Sequence, residues 1–249
     1  MTASKTTPRT ASLHLSALAL AATLAACQPA DTPKAPSGTT TQVAAKEGQA
    51  QELGTAFDGH YRQGKWDLAA ALGEELVQLH PDSPVTARIR PQYEEAKAKA
   101  LAARETLRTA ALWDYLTQPV KGGDQRSAAI YSKAAVDTGG GAEQPVRLIF
   151  RDHPDWGRSS YLVLENGDFD CYGGCRVQVT LDDQAPRAMA ASRPKTDEAI
   201  AMFIEDEAAL WKHARNAKTM AIEFPVRAGG KRTAVFEVGG LDPAKMPKW

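Results

Sequence analysis

The sequence predicts an α+β protein: an N-terminal helical hairpin or bundle followed by an antiparallel β-sandwich with one short covering helix. Apolar residues recur at spacings of three and four between residues 50 and 111, and alternate with polar ones from residue 112 onward. Glycine-rich turn signals punctuate the second half, and short connections of that kind join antiparallel neighbours. The chain has 249 residues, room for one or two domains with real cores. Its 30 basic and 30 acidic side chains leave no clustered positive footprint, so no nucleic-acid partner is expected. No run of about 18 to 20 apolar residues is present, which argues against a membrane-spanning helix.

Residues 1–10 are polar and carry only positive charge, Lys5 and Arg9. Ala11 to Ala26 then form a mildly apolar run, softened by Ser12, His14, Ser16 and Thr23. A positive flank before a short apolar stretch reads as a signal peptide over residues 1–26. The run ends in Leu24-Ala25-Ala26-Cys27, which resembles the lipobox of bacterial lipoproteins. That resemblance implies cleavage before Cys27 and diacylation of its thiol, hence attachment to a membrane through a lipid anchor. An ordinary secretory signal with a chance cysteine is the competing reading. Gln28, rather than Asp, follows the cysteine. By resemblance to enteric sorting it implies the outer membrane, with the protein in the cell envelope and facing the periplasm.

Residues 27–49 are rich in Pro, Thr, Ala, Ser and Gly and lack large apolar side chains, so a flexible tether is expected there. The helical module, residues 50–111, begins with a segment from Gln51 to Gln63 and a second from Trp66 to His80. In the second, Trp66, Ala69, Gly73, Leu76 and Val77 share a face. Pro81 and Pro84 stop it. A third segment places Ile89, Tyr93, Ala96, Ala100, Ala103 and Leu107 on one stripe. Phe57, Gly64, Trp66, Asp67, Ala69, Leu76 and Pro81 make the first pair similar to a single tetratricopeptide repeat. The resemblance implies either a docking groove for peptide or protein, or a hairpin that packs beside the β-domain; one repeat is too few for an array.

Residues 112–249 form the β-domain. Candidate strands are Trp113 to Leu116, Ala129 to Lys133, Val146 to Arg151, Ser160 to Glu165, Phe169 to Cys171, Cys175 to Leu181, Arg187 to Ser192, Thr219 to Val226 and Thr233 to Val238. The alternation in Cys175, Val177, Val179 and Leu181 buries one face and wets the other. Glu205 to Ala217 reads as the covering helix. Cys171 and Cys175 surround Tyr172-Gly173-Gly174, which predicts a three-residue hairpin loop closed by a disulfide. A redox pair would favour a spacing of two residues and a helix N-terminus. A metal would need more than two thiols, and no metal site is expected.

Arg151-Asp152-His153-Pro154-Asp155-Trp156-Gly157 is the densest polar cluster. Arg151, Asp152, His153, Asp155 and Trp156 are candidate partner-binding residues. Asp152 or Asp155 could instead orient His153 for acid–base work, which would make the protein an envelope hydrolase. Ser159 and Ser160 lack a nucleophile-elbow context, and Gly139-Gly140-Gly141 lacks the Lys-Ser/Thr that grips phosphate. No cofactor and no catalysis are expected. The β-domain is also similar to small exported bacterial domains of unknown role. Trp113, Tyr115, Phe169, Cys171, Cys175, Val177, Val179, Asp182, Ala217-Lys218, Ile222-Glu223, Phe236, Val238 and Leu241-Asp242 carry that likeness, which brings no catalytic residues with it. The expected function is a binding or scaffold module for a protein or glycan partner in the envelope. The alternative is an inhibitor or immunity protein whose Arg151–Gly157 loop plugs a wall-degrading enzyme. Periplasmic lysozyme inhibitors share that anchored, disulfide-pinned β build.

Overall fold

A computed structural model describes residues 38–195 and 200–249, with side chains from residue 42. Cys27 and the signal-peptide region lie outside the described residues. The chain divides into two units, Met1–Ala45 and Lys46–Trp249. Of the first, the described part from Gly38 is helical. The second holds both hydrophobic cores and the whole sheet.

Among the described residues three helices lead: α1 (Gly38–Arg62), α2 (Trp66–Leu79) and α3 (Pro84–Ala110). The residues from Gly38 to Gln49, expected in the tether, belong to α1 instead. The stretch Val43-Ala44-Ala45-Lys46-Glu47 is built mainly of strong helix formers, and the helix nucleated downstream extends back through it. Gly64, at φ 67°, opens the turn between α1 and α2. Ser83 caps α3 by accepting a hydrogen bond from the Val85 N–H at 3.1 Å, with Pro84 in the first turn.

Phe57, Ala69, Leu76, Ile89, Tyr93 and Ala96 form the core of the three helices. Gly73 is required there, because a Cβ at that position would overlap the Tyr93 ring. The Tyr93 hydroxyl donates to Glu74 and the Tyr61 hydroxyl to Glu95, tying the helices together at the rim. Ala103 and Leu107, expected on the buried stripe of α3, are exposed, Leu107 by 72%. α3 has 27 residues and α2 only 14, so the last turns of α3 run past its partner.

Among the described residues nine antiparallel strands follow: β1 (Trp113–Val120), β2 (Gly123–Val136), β3 (Gln144–His153), β4 (Gly157–Val163), β5 (Cys175–Leu181), β6 (Arg187–Ser192), β7 (Ala201–Ile204), β8 (Met220–Pro225) and β9 (Lys231–Phe236). The covering helix α4 (Glu207–Asn216) lies between β7 and β8 in sequence. The α+β class is therefore as expected. The strands form one continuous sheet of order β1-β2-β3-β4-β7-β6-β5-β8-β9. The facing layers of the expected sandwich are walls of this single sheet, which curls until β9 lies beside β2. β2 is long enough for two neighbours on one edge. Its first half pairs with β1, and its register shifts between Tyr131 and Ala135.

One core fills the interior, with Phe150, Phe169, Phe224, Phe236, Leu148, Leu162 and Met202 fully buried. α4, capped by Asp206 accepting from the Ala209 N–H at 2.9 Å, lays Leu210, Trp211 and Ala214 over one end of it. Trp211 meets Phe150 edge-on at 5.0 Å and Trp249 at 5.1 Å. The helical module joins the sheet through the end of α3. Arg108 bonds Glu237 at 2.7 and 3.3 Å, and a Cβ at Gly240 would overlap the Thr109–Ala110 backbone.

Two local expectations change. The disulfide Cys171–Cys175 is formed, with Cα atoms 5.1 Å apart. It does not close a two-strand hairpin, however. Phe169 bridges Val226, and Tyr172 bridges Arg193. Gly173 and Gly174, at φ 84° and 103°, turn the chain so that β5 pairs with β6 and β8 instead. β7 was not expected. Its Ala-Met-Phe-Ile run has no period of two, because a strand between β4 and β6 is covered on both sides.

Two helical glycines test this packing. Gly73→Ala should destabilise by roughly 1–3 kcal/mol, because the Tyr93 ring must move. Gly59→Ala, with open space at its Cβ, should stabilise α1 by roughly 0.5–1 kcal/mol. Urea unfolding of the two variants measures both; equal effects of the same sign would contradict the contact.

Candidate functional site

Alternation decides what the strand bearing the candidate cluster displays. Val146, Leu148, Phe150 and Asp152 of β3 point inward and are buried. Arg147, Ile149, Arg151 and His153 therefore project from the outer face. Adjacent in sequence, Arg151 and Asp152 are thus separated by the sheet. The Asp152 carboxylate is 9% exposed and lies 3.7 Å from the Lys248 ammonium of the C-terminal segment. Its place is in the closure of the domain end.

The turn after His153 is held by the imidazole itself. The Asp155 and Trp156 backbone N–H groups donate to His153 Nδ1 at 3.1 and 3.3 Å. The Trp156 indole then lies flat on the imidazole, with ring centres 3.9 Å apart and planes within 14°. His153 is buried beneath it, while Trp156 remains 70% exposed. Gly157, at φ 71°, restarts the chain as β4. Asp155 stands at the exposed tip, facing Gly122 of the neighbouring β1–β2 turn. Neither aspartate's carboxylate bonds the imidazole, so the acid–base pairing that would make His153 a catalytic base is not assembled. Among the described residues no cluster of three or more His, Cys, Asp or Glu side chains could hold a metal.

Arg151 completes the arrangement. Its Nε donates to Ser159 Oγ at 3.2 Å. Its guanidinium lies 5.3 Å from the Trp156 ring centre and 5.4 Å from that of Tyr161. Tyr161 packs on Phe203 of β7 at 5.0 Å. On the other side of Ile149, the Arg147 guanidinium lies 5.3 Å from the Tyr131 ring. The register places Ala129, Ile149, Tyr161 and Phe203 in one row across four strands. Burial raises the Tyr161 phenol above its ordinary value, and the Arg151 and Arg147 charges partly offset this.

The sequence cluster thus resolves into an outward-facing group, Arg151 and Trp156 with the buried His153 beneath them, plus two aspartates that stand apart from it. Arg147, Tyr131, Tyr161 and Phe203 were missed. The first three could have been found, since they occupy the outward positions of the alternation that identifies the core. Phe203 lies on the strand that had no alternation to read.

A second polar cluster braces the disulfide loop. Asp168 accepts from Arg193 Nε and the Tyr172 hydroxyl, each at 2.9 Å, and from the Phe169 N–H at 2.8 Å. Arg193 and Arg227 both lie against the Tyr172 ring. Partial burial would raise the Asp168 carboxyl, but the Arg193 and Tyr172 hydrogen bonds outweigh it and hold the group below its ordinary value.

Comparison of the chain with protein-family models, curated proteins and solved structures found no match.

The Asp168 cluster has a pH signature. A carboxyl whose folded value is depressed contributes stability above its unfolded value, and loses it as pH falls through the folded one. Asp168→Asn should therefore cost roughly 1.5–3 kcal/mol near pH 7. The gap from the parent protein should narrow as pH drops below about 4. Thermal unfolding of both proteins across that range checks it; a gap that stays constant with pH would contradict the assignment.

Proposed function

We propose that this protein is a lipid-anchored, non-catalytic binding module of the bacterial cell envelope, tethered through Cys27, that engages a protein or glycan partner with the outer face of β3 and β4. The observation that carries the reading is Trp156. A large indole left 70% exposed loses the hydrophobic gain of burial, yet this one is stacked on a buried imidazole and bordered by a guanidinium. An aromatic ring ordered in advance gives up little entropy when a partner covers it, and Trp, Tyr and Arg dominate the energetics of interfaces.

Two further observations support the placement. Leu24-Ala25-Ala26-Cys27 follows a positively charged flank and a short apolar run, the order that lipidation requires. The Cys171–Cys175 bond is of a kind that persists in oxidising compartments. Catalysis is left out because His153 Nδ1 is committed to the turn and Asp152 faces the other side of the sheet. The rigid turn also favours a second reading, in which Trp156 enters the active site of a wall-degrading enzyme as an inhibitor, since such contacts use loops that barely move on binding.

In cells fed an alkyne fatty acid, the parent protein should take up label and remain with the membranes. Cys27→Ser should do neither. Site-specific photocrosslinking from position 159, whose side chain meets Arg151, should give an envelope adduct that Trp156→Ala reduces at least about tenfold. Unlabelled parent protein would refute the anchor, and adducts indifferent to Trp156→Ala would refute the binding face. Inhibition of a muramidase by the parent but not by Trp156→Ala would select the second reading.

A further inference from the structure

The outer face of β3 carries two arginines held by aromatic rings. Arg147 and Arg151 project from the same face, four residues apart, which is about 13 Å along an extended strand. Among the described residues neither pairs with a carboxylate, and each guanidinium lies against aromatic rings instead. Arg151 makes one hydrogen bond, from Nε to the neutral Ser159 hydroxyl. Arg147 Nε is buried without any acceptor. Leaving a charged donor unsatisfied is costly, and both guanidiniums are held in place by rings rather than by counter-charges. Between them lies the apolar row of Ile149, Tyr161 and Phe203.

We infer that this face docks an acidic protein partner, whose carboxylates seat on Arg147 and Arg151 while an apolar side chain lies on the row between them. The inference rests on the binding-module reading and names the chemistry of the partner. Charge complementarity selects the anion: the face presents two unpaired cations and no carboxylate between them. Its shape selects a protein. Small ligands take concave sites, whereas the outer surface of a sheet with exposed Trp, Tyr and Arg matches the make-up of protein–protein contact centres. Arginine suits the task because its planar fork meets a carboxylate with two hydrogen bonds while its flat side rests on a ring.

The probe is poly-L-glutamate immobilised on a biosensor, with the full chain flowed over it at low and physiological salt. The parent should bind, more weakly as salt rises. Replacing both arginines, Arg147→Gln with Arg151→Gln, should weaken binding at least about tenfold. The exposed control pair Arg176→Gln with Arg187→Gln, on β5 and β6, should stay within about twofold. Should the double variant fail to fold, each single variant carries the same reading at roughly threefold. The inference is overturned if polyglutamate is not bound, if the control pair loses as much as the test pair, or if the carboxylated glycan polygalacturonate binds more tightly than polyglutamate. Any of these would leave the crosslinking result at Trp156 standing, so the failure of the chemistry and the failure of the face are distinguishable.

Discussion

Everything displayed by this protein depends on the two-sided register of β3. Val146, Leu148 and Phe150 are completely buried, and moving them by one residue would put three large apolar side chains into water. Burial of that size, at about 25 cal/mol per Å² of apolar surface, fixes the register far more firmly than any surface contact could. The outward positions of Arg147, Ile149 and Arg151 follow from it. The display face is thus a by-product of core packing in its geometry, although not in its chemistry. Nothing in the core requires arginines and rings on the other side.

The turn after β3 extends this logic by one step. His153 is the last outward residue of the strand, and it acts as a scaffold with its ring edge and ring face together. Nδ1 gathers two backbone N–H groups that the turn would otherwise leave to solvent, and the imidazole plane supports the indole. Stacking of this kind contributes about 0.5–1.5 kcal/mol beyond area burial. That is enough to bias one rotamer of Trp156 without burying it. Arg108, Glu237 and the close approach at Gly240 join the last turn of α3 to the segment after β9, so the helical module continues directly into the β-domain.

Much of this was legible in the sequence, for reasons that also explain what was not. Eight strands and α4 announced themselves because each has one buried and one wet side, and a period is what such burial leaves behind. β7 left none because both its sides are covered. The hairpin expected at Cys171 failed because adjacency in sequence was taken for pairing, whereas Gly173 and Gly174 turn the chain so that β5 pairs with β6 and β8. Closure of the sheet by β9 against β2 depends on contacts a hundred residues apart, which no local pattern encodes. The cluster at residues 151–157 was visible as a cluster. Its division between the two sides of the sheet required only the strand's period, but the stacking of Trp156 on His153 required the turn's path.

Trp156 is exposed yet held, and the display face has no organising centre without it. The most direct test is the NMR relaxation of the Trp156 indole Nε1–H in the free protein, assigned by comparison with Trp156→Phe. An order parameter near about 0.85, that of rigid backbone, is the expected result. A value below about 0.6 would mean that the indole moves freely on the fast timescale, and no preformed platform would exist before a partner arrives.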